Sequence, residues 1–259
     1  MRLLILLLVL VLPSLSSAAP QGTEQRITTR DQVTVPVFVR WQENAKATLV
    51  LFSGGAGGYG KIGEEGWPTS GNFLIRTTPH WAAHPFNLVM VGRPSDGIDL
   101  GNGAIRSGSQ HVADNLAVLR ALRHQSPLPI WLVGTSMGTI SAASTAIHDK
   151  EGLVAGLVLT SSITGRQIPG AVPGLDLSAI RIPTLIFHHE NDACKHCQAD
   201  EARTLGKGLS QAPIQKTLIV GGGANPTGSP CGPFHYHGYI GMEKEAVDRI
   251  AEWILSPAN

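Results

Sequence analysis

The chain has 259 residues, 42% of them hydrophobic, and a formal net charge of +1. That suits one large domain with a sizeable core, and with no block of like charge it argues against a nucleic-acid surface or a tail seeking an anionic membrane. An aromatic content of 5% offers no stacking surface.

The first residues stand apart. Met1-Arg2 gives a positive end, Leu3 to Leu12 is an unbroken apolar run, and Ser16-Ser17-Ala18 supplies small residues. This pattern predicts a secretory signal peptide over residues 1–18, cleaved after Ala18. The run is too short to span a bilayer comfortably. The expectation is a secreted or periplasmic protein, with residues 19–259 as one domain and no stable membrane insertion after cleavage.

From Gly22 to Trp41 the sequence reads as one or two edge strands, with Pro36 expected at a sheet edge. Ala47–Phe52 is an aliphatic run that reads as a buried strand. It empties into the glycine-rich loop Ser53–Gly58. That loop lacks the Gly-Lys-Ser/Thr ending of a phosphate-binding P-loop. Ser70–Ala83 predicts a helix interrupted near Pro79. Phe86–Val91 is the next strand, ending in the turn-rich Gly92–Gly97. Ser107–Gln125 predicts a helix on the spacing of Val112, Leu116 and Leu119. His111 and Asp114 on that helix read as local structure.

The chain is organised around Pro129–Ala143. An apolar strand, Ile130–Val133, enters Gly134-Thr135-Ser136-Met137-Gly138, and a run of small residues follows. Strand, sharp turn and helix with G-x-S-x-G match a nucleophile elbow, which presents a serine hydroxyl at the top of a sheet. Leu153–Leu159 is a further strand. The proline- and glycine-rich Gly165–Ile182 leaves no room for a helical cap. Pro183–Phe187 is the next strand, Gln198–Leu209 a helix, Lys216–Val220 the last strand and Glu243–Leu255 an amphipathic helix. Strands alternating with helices predict an α/β fold, a mostly parallel central sheet with helices on both faces.

A serine hydroxyl needs a base to take its proton, and the base needs a group to orient it. In elbow architectures the order is serine, acid, histidine. Asp192, just past a strand, is the best acid, with Glu190 and Asp200 as rivals. His237, between the last strand and last helix, is the best base; His235 points to the opposite side of an extended segment. The oxyanion needs two backbone N–H groups. Met137, after the nucleophile, supplies one. Gly55 supplies the other, with Ala56 second in line.

Ser136 within Gly134–Gly138, Asp192 after a strand and His237 before the terminal helix resemble the α/β-hydrolase superfamily over roughly residues 30–257. The likeness is greatest to the compact, capless esterase and dienelactone-hydrolase-like branches. Two departures stand out: Ser53 opens the oxyanion loop where many members have histidine, and His189 stands where a glycine often precedes the acid by three residues. The resemblance implies a Ser-His-Asp triad, an acyl-enzyme, no cofactor and no resident metal. The expected partner is a small-molecule or polymeric carboxylic ester. A thioesterase, an amidase and a non-catalytic binding protein on the same fold are the alternatives.

Three cysteines remain: Cys194, Cys197 and Cys231. In an oxidising compartment a disulfide is the default. A Cys194–Cys231 bridge is favoured, leaving one cysteine free and tying the acid loop to the histidine loop. Such a bridge contributes on the order of 3–4 kcal/mol in the chain-entropy model. The rival readings are a Cys194-x-x-Cys197 redox pair and a zinc site of Cys194, His196, Cys197 and Cys231.

Overall fold

A computed structural model describes residues 21–259. The expected signal peptide lies outside the described residues. Eight strands form one sheet: β1 (Thr23–Arg30), β2 (Val33–Arg40), β3 (Ala47–Phe52), β4 (Phe86–Val91), β5 (Ile130–Thr135), β6 (Val154–Thr160), β7 (Thr184–His189) and β8 (Gln215–Val220). Their spatial order is β1-β2-β4-β3-β5-β6-β7-β8. The β1–β2 and β2–β4 pairs are antiparallel, and every other pair is parallel. Every residue of β3, β4, β5 and β7 is buried. This follows from covering both faces of a parallel sheet, and it explains the unbroken aliphatic runs.

Among the described residues seven helices provide that cover: α1 (Phe73–Arg76), α2 (Thr78–Trp81), α3 (Gly103–Ser107), α4 (Ser109–Gln125), α5 (Met137–His148), α6 (Ala199–Leu205) and α7 (Glu243–Leu255). One core cluster joins sheet residues to Val118 and Leu119 of α4 and Ala142 and Ala143 of α5. A second joins the opposite face to Phe73, Trp81, and Val247 and Ile250 of α7, and a small third holds Ile140, Ile163, Ala171, Cys194 and Cys197. The small side chains of α5 let it lie close against β5, directly behind the elbow.

Local chemistry moved several boundaries. The helix expected over 70–83 is two single turns that break at Thr77, and Pro79 sits in the first turn of α2. Proline lacks an N–H and its ring clashes with the carbonyl four residues back, so the chain restarts instead of kinking at Pro79. The helix expected over 107–125 divides at the extended Gly108. The helix expected over 198–209 ends at Leu205 and tightens into a 3-10 turn. β7 runs two residues past Phe187, because His188 and His189 pair with Ile219 and Val220 of β8. Pro36 is not on an edge strand, since β2 is flanked by β1 and β4. It is tolerated because the β2–β4 ladder begins one residue later, at Val37. Its missing N–H therefore falls at the ladder's end.

Between β6 and β7 there are only two 3-10 turns, Val172–Gly174 and Leu177–Ala179, and no cap subdomain. The sheet's carboxyl end is covered by loops alone.

His111 and Asp114 do serve structure. Asp114 is fully buried and holds Arg30 at 2.7 Å, fastening α4 to the edge hairpin. His111 Nε2 lies 2.9 Å from Ser141 Oγ. Burial, with the nearby Arg106 charge, lowers its pKa from 6.5 to about 4. Between those values the unfolded chain binds more protons, so stability should fall as pH drops through that window. The full effect is roughly 3 kcal/mol. Thermal melts of His111→Gln should show a shallower loss of Tm between pH 6.5 and 4 than the wild type. An unchanged slope would contradict the assignment.

Candidate active site

β5 ends at Thr135, and α5 begins at Met137. Between them Ser136 takes φ 52° and ψ −126°, a region costly for a residue with a side chain. Its surroundings hold it there. Ser136 N–H donates to Thr160 O at 3.1 Å, and Thr139 donates to Ser136 O through both N–H and Oγ1. The flanking glycines are sterically required. A Cβ on Gly134 would lie 2.5 Å from Gly138 O, and one on Gly138 would lie 1.9 Å from Phe52 O. The G-x-S-x-G pattern is thus a record of how closely β3, β5 and α5 approach.

The loop after β3 is tied from inside. Ser53 Oγ donates to Gly58 O at 2.7 Å. Arg106 of α3 is buried and donates to Ser53 O, Gly55 O, Leu100 O and Ser141 Oγ at 2.5–3.1 Å. Burial lowers its pKa only to about 10, so it stays charged at neutral pH. In a trans peptide the carbonyl and the following N–H point in opposite directions. Drawing the Ser53 and Gly55 carbonyls to Arg106 therefore turns the Gly54 and Ala56 N–H groups away from it. Gly54 lies against Ser136: a Cβ there would meet Ser136 Cβ at 2.9 Å. Met137 opens α5, where first-turn N–H groups have no partner within the helix.

Asp192 follows β7 by a turn in which its N–H donates to His189 O. Oδ1 accepts from Cys194 N–H at 3.0 Å. Oδ2 lies 2.8 Å from His237 Nδ1 and 3.4 Å from His188 Nε2. Burial pulls this carboxyl upward, but His188 and His237 outweigh it and hold the pKa at about 2. The ionised Asp192 can only accept, so Nδ1 of His237 carries a proton and the neutral ring keeps Nε2 as its acceptor. His188 donates Nε2–H to Cys197 O at 2.8 Å, which fixes its tautomer in the same way.

His237 sits in the 3-10 turn Tyr236–Gly238. A Cβ on Gly238 would lie 1.9 Å from Pro233 O, so glycine is needed there. Ser161, at φ 43°, donates Oγ–H to His237 O at 2.8 Å. Tyr239 is fully buried; its OH accepts from Ser161 N–H and donates to Phe187 O. These contacts fasten the histidine turn to the ends of β6 and β7.

Ser136, His237, Gly54, Gly55, Asn72 and Cys231 line one cavity of about 290 Å³. Among the described residues no hydrogen bond joins Ser136 Oγ to His237; free-enzyme contacts of this kind often tighten when substrate arrives. The rivals stand elsewhere. Glu190 is exposed, and Asp200 is almost wholly exposed beside Arg203. Among the described residues no hydrogen bond joins His235 to Asp192; its ring lies edge-on to Tyr236.

The Cys194–Cys231 disulfide is present, and Cys197 is free and buried. Cys197 lies beside Ser136, and burial, then the Asp192 charge, push its thiol well above the ordinary range. Sequence reasoning gave no role to Arg106, His188, Ser161 or Tyr239. Arg106, Ser161 and Tyr239 act through partners that are distant in the chain, and His188 acts through the nearby Asp192 and Cys197 without a pattern that marks it.

No protein-family model and no curated protein matches the chain. Solved structures do. An esterase from Pyrococcus furiosus superposes with a TM-score of 0.64 at 13% identity, covering 90% of this chain and 92% of that one. A dienelactone hydrolase from Anabaena variabilis gives 0.61 at 13% identity, covering 92% and 100%. A cold-adapted esterase from an Arctic intertidal metagenomic library gives 0.58 at 15% identity, covering 89% and 92%. With its strand order, its elbow and its loop-covered carboxyl end, the chain has the capless α/β-hydrolase fold.

Proposed function

We propose that the protein is an exported serine hydrolase that cleaves carboxylic esters. The reading is carried by one arrangement: Asp192 bonded to His237 at 2.8 Å, with His237 and the elbow serine facing the same cavity. His237 Nε2 takes the Ser136 proton as Oγ attacks the acyl carbon. Asp192 stabilises the imidazolium that forms. The N–H groups of Met137 and Gly55, with Ala56 the second candidate in that loop, stabilise the oxyanion. The imidazolium then gives its proton to the departing alkoxide, and water activated by the same base releases the acid. Export is proposed from residues 1–18, and a disulfide suits an oxidising compartment.

The test is labelling of the purified mature protein with a fluorophosphonate, peptide mapping, and rates on short- and long-chain esters. Adduct on the Ser136 peptide together with turnover is the expected result. A folded protein that takes no label and turns over no ester would overturn the reading. The fastening of the oxyanion loop makes a second prediction. Arg106→Met should lower kcat roughly tenfold to a hundredfold with little change in KM, because the donors are lost mainly to the transition state. Steady-state kinetics on a variant shown to be folded checks this; a change confined to KM would assign Arg106 to ground-state binding.

A further inference from the structure

The expected zinc alternative used His196. The structure gathers a different set. Cys194 and Cys197 sulfurs and a ring nitrogen of His237 all lie within 4.8 Å of one another, and all three residues are buried. Cys231 joins them through its bond to Cys194 and lies in the cavity wall beside His237. Cys194-Lys195-His196-Cys197 forms a turn closed by Cys197 N–H donating to Cys194 O at 2.9 Å. A C-x2-C turn is the usual spacing for two thiolate ligands of zinc. His237 already donates Nδ1–H to Asp192, the outer contact that fixes a metal-ligating imidazole, which leaves Nε2 as the donor.

We propose that reducing the Cys194–Cys231 disulfide converts this cluster into a zinc site of Cys194, Cys197, Cys231 and His237. With a phosphine reductant the S–S bond breaks. The phosphine takes the oxygen of a water molecule, and the two hydrogens of that water end on the Cys194 and Cys231 sulfurs. Zn²⁺ then displaces three thiol protons and accepts the lone pair of His237 Nε2. Zinc bonds of about 2.3 Å to sulfur and 2.0 Å to nitrogen suit ligand atoms already gathered within 4.8 Å, with the Cys231 sulfur starting from its bonded place on Cys194. The disulfide form cannot supply this set, because two of its three sulfurs are bonded to each other.

On the function proposed above, the metal takes the nitrogen that serves as base. The enzyme would be silent while reduced and metal-loaded, and active once the disulfide closes. That consequence rests on the esterase reading; the site itself does not.

The experiment uses the mature chain, reduced with a phosphine and then freed of it, titrated with Co²⁺ as a spectroscopic probe. One equivalent should give thiolate-to-cobalt charge transfer and tetrahedral ligand-field bands, both bleached by Zn²⁺. The unreduced protein should give neither. Cys197→Ser should lose the one-to-one complex. His237→Gln should shift the ligand-field bands, and Ser136→Ala should bind as the wild type does. Binding that survives Cys197→Ser, or that is equal in oxidised protein, would overturn the site. Should the reduced chain unfold, Zn²⁺ should restore cooperative melting in the wild type and not in Cys197→Ser; no restoration would also overturn it. Because the readout is optical, a cobalt complex in a protein that cleaves no ester would uphold the site while refuting the esterase reading.

Discussion

Ser136→Ala and His237→Ala should each lower ester hydrolysis by about three decades or more. The size follows from the cooperative nature of the unit. Without Oγ there is no acyl-enzyme, and without the imidazole Oγ keeps its proton. The two losses should not add in the double variant, since each removes the same step. The fold should tolerate Ser136→Ala, whereas His237→Ala removes a partner of the buried Asp192 and should lower stability. Ser136 spends its backbone on the strained turn and leaves the side chain at the cavity, so alanine meets no new clash. Rates measured on folded variants decide the matter. Near-wild-type turnover in either one would remove that residue from the mechanism.

Asp192→Asn should be nearly as severe, on the order of three decades in kcat. An amide can present its NH2 to His237 Nδ1, which favours the tautomer with the proton on Nε2, facing the serine with a donor where an acceptor is needed. The same substitution has a thermodynamic signature. The folded pKa of about 2 lies below the ordinary carboxylate value of 3.8. Its stabilisation is therefore complete above about pH 4 and lost as pH falls toward 2. Acid unfolding of Asp192→Asn should lack this segment of the curve. If Glu190→Gln proved the more damaging in kinetics, the acid would have been misassigned.

The elbow was legible in the sequence because its constraint is local. Gly134 and Gly138 are dictated by backbone approaches within a few residues and one neighbouring strand, and the aliphatic run before them and small residues after them fix strand and helix. Asp192 and His237 could be singled out by position, as candidate acid and base after successive strands, and the structure brings the two side chains together. The distant contacts were not legible. Arg106 reads as one arginine among many, yet its partners lie at Ser53, Gly55 and Ser141. Ser161 and Tyr239 hold the histidine turn across more than 70 positions. Pro36 misled because a proline signals a missing N–H, and the sequence does not show where a ladder ends. The disulfide could be favoured but not deduced, as three cysteines permit three pairings.

The Cys194–Cys231 bond spans 37 positions and encloses α6 and β8 in a covalent ring. β8 is the edge strand on that side of the sheet and only half-buried. In most sheets such a strand opens first, by local fluctuation well below the global unfolding free energy. Here the segments on either side of it carry the proposed acid and base, so peeling β8 away means displacing both. Amide exchange in β8 should therefore be slow while the ring is closed and quicken after reduction. The rate at which that edge breathes would then report how long the enzyme stays competent between openings.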